Sequence, residues 1–247
     1  MTPWLRGWTD IRRTPTADIR LGALLAFVAG ATNAGGFLAV ARYTSHMTGI
    51  VSAMADDLVL GHWTLALAGA AAFSMFLLGA MTTALLVNYA RQRRMHSRFA
   101  LPLLLEAALL LAFGLLGASL NLKIALLLPA TVLLLCFIMG LQNAVITKIS
   151  RATIRTTHVT GLVTDLGIEL GKLVYVNHIP GAVPVVADRA RIRMHALLIG
   201  MFFVGGLFGA LGFKQVGFAT TVPLAVALLV VATRPLLNDL NAARRAL

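Results

Sequence analysis

An all-α membrane fold made of two related halves follows from three features of this chain. Apolar residues fill 59% of its 247 positions and charged residues only 12%, about half the charged share of a soluble domain. Apolar stretches of about 20 residues recur, the length that crosses a hydrocarbon layer of ~30 Å as helix. One motif also occurs twice: Thr44-Ser45-His46-Met47-Thr48-Gly49-Ile50-Val51 returns 112 positions later as Thr156-Thr157-His158-Val159-Thr160-Gly161-Leu162-Val163. Of fifteen positions aligned between 44–58 and 156–170, six are identical: Thr44, His46, Thr48, Gly49, Val51 and Leu58. Asp57 aligns with Glu169 and Ser52 with Thr164. Internal repeats fix the architecture before any other feature.

The elements follow in order. Spans are expected near 21–41, 64–89, 99–120, 124–147, 195–213 and 217–236. The first and fourth each carry a Gly-x-x-Asn-Ala element, Gly30 to Ala34 and Gly140 to Ala144. After each comes an interruption and then a short helix with the motif, 46–61 and 158–172. At ~1.5 Å per residue each is about 22–24 Å long, too short to cross unaided. They are expected to be broken, re-entrant helices; helices lying flat on the two surfaces are the alternative. A polar connector at 173–194 holds Pro180, Pro184 and the Arg189, Arg191, Arg193 run, and residues 238–247 read as a solvated tail. The expected domain is single, 1–247, with repeat one at about 20–120 and repeat two at about 124–236. Ala39-Val40-Ala41 mimics a signal-peptide cleavage site, but the apolar stretch before it is too long for an h-region. The lone Cys136 leaves no partner for a disulfide and no thiolate metal cage.

Charge sets the orientation. A formal net charge of +12 would point to nucleic acid in a soluble protein, yet loop lysines and arginines in a membrane protein mark the cytoplasmic side. With six spans and the N-terminus inside, every Lys and Arg except Arg42, Lys123 and Lys214 falls inside. Eight spans would place the Arg91–Arg98 cluster outside. Six spans are therefore expected, with both termini cytoplasmic and no nucleic-acid partner. Three crossings per half is an odd number, so the halves are expected to be inverted repeats, related by an axis in the membrane plane. Interrupted helices at matching places in inverted repeats point to a midplane binding site.

The motif carries the chemistry. At 100° per residue His46 and Asp57 share one helix face, as do His158, Asp165 and Glu169. Thr48 with Ser52, and Thr160 with Thr164, add hydroxyls beside them. Ionisable side chains are costly in hydrocarbon and usually face a wet cavity; His with Asp and Glu are also parts of proton relays. Structural locking of half-helices to the spans uses the same residues, and both roles stay open. Gly49 and Gly161 are expected to admit a neighbouring helix or a substrate. Thr44/Ser45 and Thr156/Thr157 suit helix N-caps, and with Arg42 and Arg155 they would favour an anion at the two breaks; arginines snorkelling to the interface are the alternative. Asn33 and Asn143 are expected to hydrogen-bond to the opposite half or to the interruptions. Glu106, inside the third span, is expected to neutralise Arg42 or a histidine, or to join in coupling. Gly205, Gly206, Gly209 and Gly212 read as a packing face.

The Gly-x-x-Asn-Ala span followed by Thr44-Ser45-His46-Met47-Thr48-Gly49 resembles the YoaK-like family of bacterial membrane proteins, which carry a domain of unknown function. So does Gly140-Leu141-Gln142-Asn143-Ala144-Val145 with the stretch from Arg155 to Gly167. The resemblance covers nearly the whole chain. It implies a polytopic protein of the bacterial inner membrane and supplies no substrate. Ala34-Gly35-Gly36 departs from it, standing where many relatives are expected to hold a bulkier or acidic residue.

The function expected is transport of a small molecule or ion across the inner membrane by alternating access, with proton coupling and an anionic solute as its two refinements. The bilayer and the solute are the partners, with no cofactor and no metal. The binding residues expected are His46, Thr48, Asp57, His158, Thr160, Asp165, Glu169, Asn33, Asn143, Arg42 and Arg155. The alternatives are a membrane scaffold or regulator, then a channel or an intramembrane enzyme. No compact His-x-x-His or Glu-x-x-His spacing supports the enzyme.

Overall fold

The computed structural model describes residues 14–41, 43–95, 97–118, 127–150, 154, 156–179 and 181–245. Among these residues every regular element is helical: α1 (Pro15–Val40), α2 (Met47–Val59), α3 (Trp63–Gln92), α4 (Ala100–Ala118), α5 (Leu127–Ile149), α6 (Val159–Val174), α7 (Arg189–Val216), a 3-10 turn (Gly217–Thr220) and α8 (Thr221–Arg245). Each expected apolar stretch falls on a long helix, and the motif segments are the two short ones. Five stretches are long and apolar enough to cross a membrane: Thr16–Leu38, Trp63–Gln92, Ala100–Ala118, Leu128–Ile149 and Arg189–Thr233. The last has 45 residues, about twice what one crossing needs, and the 3-10 turn interrupts it. Gly217 stands there at φ 62°, ψ −140°, a region closed to side chains, so α8 can leave α7 in a new direction.

Local chemistry explains where α1 begins and stops. Pro15 occupies its first position and the Thr14 hydroxyl accepts from the Ala17 N–H, so a missing donor and a cap meet where helix donors are otherwise unsatisfied. At the far end Ala41 turns left-handed, φ 53°, and its N–H donates to the Phe37 carbonyl. That conformation costs a residue with a β-carbon roughly 1–2 kcal/mol, so the surroundings enforce the break before the motif.

Packing interlaces the two halves. α1 lies along α7 and α5 along α3; α4 packs on α8 and α5; α2 rests on α3 and α6 on α7. The first helix of each half therefore pairs with the third helix of the other. Lipid offers no hydrophobic drive between helices, so close backbone approach at small residues supplies van der Waals contact. A Cβ at Gly30 would overlap the Phe202 carbonyl oxygen, and one at Gly205 the Phe27 carbonyl oxygen. The other pair repeats this: Gly140 against the Phe76 carbonyl, Gly79 against that of Phe137. Each crossing thus joins two Phe-x-x-Gly steps, Phe27 to Gly30 with Phe202 to Gly205, and Phe137 to Gly140 with Phe76 to Gly79. The sequence holds this pattern in plain view.

On one face of α4, Phe113 meets Phe213 of α7 and Phe218 of the 3-10 turn, with the three ring centroids 5.6–6.0 Å apart. At the opposite end of that face the Asp239 carboxylate accepts from the Ser97 N–H at 2.8 Å. The expected solvated tail is instead the last part of α8, tied to the start of α4. The connector also differs from the expected 173–194. α6 runs to Val174 and α7 starts at Arg189, so the three arginines stand on a helix. What is left, 175–188, is apolar rather than polar, with Tyr175, Val176, Ile179, Val183 and Val186 exposed. Large apolar side chains are likewise exposed along α3 (Leu67, Leu77, Met81, Leu85) and α7 (Phe203, Leu207, Leu211). A water-soluble fold rarely presents such continuous apolar faces. They are the surface of a multi-pass membrane protein.

Candidate functional site

Both motif helices begin at histidine, not at the hydroxyls expected to cap them. His46 is the N-cap of α2 (φ −91°, ψ 73°) and His158 that of α6 (φ −86°, ψ 57°), and neither side chain caps a backbone N–H. In each copy the imidazole folds over the glycine three residues on: Nδ1 of His46 lies 3.1 Å from where a Cβ of Gly49 would sit, and His158 overlies Gly161 more tightly. The motif glycines therefore make room for their own histidine. This gives the His-x-x-Gly spacing a cause that the sequence alone did not disclose.

The interruptions are braced by the paired asparagines. The Ser45 hydroxyl donates to Oδ1 of Asn33 at 2.8 Å, and Nδ2 of Asn143 donates to the Thr157 hydroxyl. Each amide thus holds the break of its own half, not of the opposite one, and does so through a side chain. Such a brace supplies hydrogen bonds where hydrocarbon offers none. Gln142, beside Asn143, donates to the Leu25 carbonyl at 3.2 Å and links α5 to α1.

A cavity of about 620 Å³ opens beside the first motif, between the end of α1, the interruption, α2, the start of α3 and the start of α5. His46, Gly49, Ile50, Ala53 and Asp57 line it from α2, so the expected shared face of His46 and Asp57 exists. Asp57 also meets His62 at 3.4 Å. Thr44, the first residue of the motif, lines the cavity, and its buried hydroxyl has no hydrogen-bond partner among the described residues. Phe37 and Tyr43 stack at 4.5 Å in the same wall, and Cys136 faces in from α5. Most of the lining is apolar, with a few polar groups on one strip, the usual make-up of a small-molecule site.

The second motif is placed differently. Glu169, aligned with Asp57, is buried; it accepts from Lys172 Nζ at 2.7 Å and from the Asp188 N–H at 2.8 Å. Lys172 first, and then the Asp188 N–H, hold its carboxyl below the usual carboxylate range. Asp188 in turn caps α7, accepting from the N–H groups of Ala190 and Arg191, so Glu169 latches α6 to the start of α7. His158 and Asp165 are exposed, and the expected line of three ionisable groups divides. Near the second motif the buried Ile154 side chain lies 3.0 Å from where a Cβ of Gly22 would sit, with Leu198 at 3.5 Å.

Thr48 and Thr160 are exposed and lie outside the cavity lining. Arg42 and Arg155, on which the anion site rested, lie outside the described residues. Glu106 is wholly buried in α4, and neither carboxylate oxygen has a hydrogen-bond partner among the described residues; no described histidine neutralises it. Thr44, Tyr43 and Phe37 are the cavity residues that helical periodicity missed. The signal for Thr44 was its place at the head of the repeat.

A family model described as a protein of unknown function (DUF1275) matches residues 21–233. The chain belongs to this family. The match covers both motif copies and at least part of every long helix, consistent with the YoaK-like resemblance. No curated protein and no solved structure matches the chain.

Proposed function

We propose that this DUF1275 protein carries a small molecule or ion across the bacterial inner membrane by alternating access, as a non-enzymatic carrier with both termini cytoplasmic. α1, α3, α4, α5, α7 and α8 are the six spans and α2 and α6 the short motif helices. The reading of the halves as inverted repeats is supported by contacts that interchange: exchanging α1–α4 for α5–α8 turns the α1–α7 pair into α5–α3 and the α2–α3 pair into α6–α7. One observation carries the proposal. The surroundings of the two motif copies differ: a cavity of about 620 Å³ opens beside the first, and Ile154, Leu162 and Leu198 are buried around the second. A carrier needs its two ends to be unequal in each state and exchangeable between states.

The test is a proteoliposome assay with an imposed pH gradient and a panel of small solutes. Accumulation driven by the gradient and abolished by His158→Ala supports a proton-coupled carrier; flux without any response to the gradient removes the coupling. Absence of protein-dependent flux across the panel counts against transport. Cysteine labelling at positions 62 and 95, in a chain with Cys136 replaced, checks sidedness. Position 62 should label from outside and 95 from inside.

A further inference from the structure

We propose that the connector at 175–188 and the first turn of α7 form a docking surface for anionic phospholipid. The apolar side chains of the connector enter the leaflet, and Arg189 and Arg193 hold the phosphate. The surface does not depend on the transport reading. The connector is a built loop. The Asn177 side chain accepts from the Val185 N–H at 2.9 Å and donates to the Val185 carbonyl at 3.2 Å, clasping its two arms. Gly181 turns the tip at φ 83°, a conformation that favours glycine. The base is fixed to α6 where the Asp188 N–H meets Glu169. Yet the loop displays the side chains of a core: Tyr175, Val176, Ile179, Val183 and Val186 are exposed, Val183 by 91%. No Lys, Arg, Asp or Glu stands between Lys172 and Asp188. A loop already ordered loses little conformational freedom on binding, so its apolar area favours leaving water.

The face of α7 decides the occupant. Arg189 and Leu207 are eighteen positions apart, as are Arg193 and Leu211, a whole number of turns at 3.6 residues each. Both leucines are exposed on the apolar face turned to lipid. Both arginines are exposed too, and they head that same face. Arg193 and Lys214 are 21 positions apart, and helix of that length spans about 32 Å, one hydrocarbon layer. With Lys214 at the far boundary, Arg193 stands at the near edge of the acyl chains and Arg189 one turn farther out, among headgroups. Residues at i and i+4 are neighbours on a helix, and paired guanidinium groups suit phosphate oxygens. The acids at this junction are engaged elsewhere: Glu169 with Lys172 and the Asp188 N–H, Asp188 with Arg191 and the start of α7. An acidic soluble protein would pair with the arginines and leave the apolar loop in water. A phospholipid supplies both a phosphate and an acyl chain.

The experiment places the full chain, with Cys136→Ser and one dye-labelled cysteine, in phosphatidylcholine nanodiscs. A label at Val183→Cys reads the loop. Quenching by brominated acyl chains and protection from aqueous iodide are expected; iodide quenching without quenching by bromolipid overturns insertion and leaves the loop to a soluble partner. A label at Ala196→Cys, exposed one turn beyond Arg193 on the same face, reads the headgroup. A small fraction of brominated phosphatidylglycerol should quench it more than the same fraction of brominated phosphatidylcholine. Arg189→Gln and Arg193→Gln should each lower the relative affinity for phosphatidylglycerol about fivefold, the usual share of one basic residue at an anionic surface. Lys214→Gln, at the other end of α7, should leave it unchanged. Equal quenching by the two bromolipids, a preference that survives the double arginine variant, or displacement of the lipid by inorganic phosphate each overturns the headgroup site. All substituted positions are exposed apart from Cys136, so the fold tolerates the variants. The outcome is independent of flux: a chain that carries no solute can still hold the lipid, and a carrier can lack it.

Discussion

α2 and α6 descend from one motif and meet opposite surroundings. α2 buries none of its residues, and its inner face looks into open space. α6 buries Leu162 and Glu169, and its inner face is closed against the protein. The aligned acids show the difference most directly: Asp57 is loosely held by an exposed histidine, whereas Glu169 joins a lysine and a backbone N–H that begins the next helix. The scaffold beneath them is nearly the same in both halves, down to the Phe-x-x-Gly steps at the two crossings. Symmetry is thus kept where backbones touch and broken where the motif sits. Similar residues in similar frames take different roles because the connectors differ: Gly61 and His62 after α2, residues 175–188 after α6.

The comparison can be broken hardest at the crossings. Gly30→Val and Gly140→Val should each cost about 3 kcal/mol or more, because the added methyls meet carbonyl oxygens that cannot move aside. Thermal unfolding in detergent should show the two losses equal within error; a large inequality would show that the scaffold is not symmetric. Next come the aligned apolar residues. Leu162→Ala should cost roughly 2–4 kcal/mol by opening a hole in a packed site, while Ile50→Ala, at the edge of a hole already present, should cost about 1 kcal/mol or less. Equal costs would mean that the first cavity is closed in the membrane.

Replacing Glu106, which has no hydrogen-bond partner among the described residues, with Met should stabilise the fold by about 1–2 kcal/mol, since a buried polar group is exchanged for an apolar one of similar length. A destabilised variant would reveal a partner for the carboxylate. The Glu169 latch predicts a pH effect on the α6–α7 junction. A carboxyl whose folded pKa lies below its unfolded value of 4.5 contributes stability above 4.5 that is lost as pH falls through the folded value. Hydrogen exchange at the Asp188 amide should therefore accelerate below that range, and Glu169→Gln should reproduce the loss at neutral pH. The smallest effect belongs to the exposed hydroxyls: Thr48→Ala and Thr160→Ala should each change stability by less than about 0.5 kcal/mol.

The helices were legible in the sequence because length and apolarity alone decide what crosses lipid. Both motif segments, and the breaks before them, were legible because they occur twice. The site was legible only in part. His46 and Asp57 came out on one cavity wall, while helical spacing did not disclose that Glu169 is buried and His158 and Asp165 exposed. Thr44 and the Phe37–Tyr43 pair depend on how a broken helix folds back, which no periodicity encodes. The Glu169 latch depends on a backbone N–H nineteen residues away, at Asp188. The crossings could have been read from four Phe-x-x-Gly steps, but which step meets which is a tertiary fact.

Interlacing has a consequence for how this protein is made. The glycine surface of α1 is complete once Gly30 has left the ribosome, but its cover on α7 is centred near Gly205, some 175 residues later. At ordinary synthesis rates that is roughly 10–35 s. Throughout that interval the nascent first half must sit in lipid, or against the insertion machinery, with a bare groove and an unsupported break. Faults in assembly should therefore concentrate on chains truncated before α7, which a membrane quality-control protease would recognise by that groove.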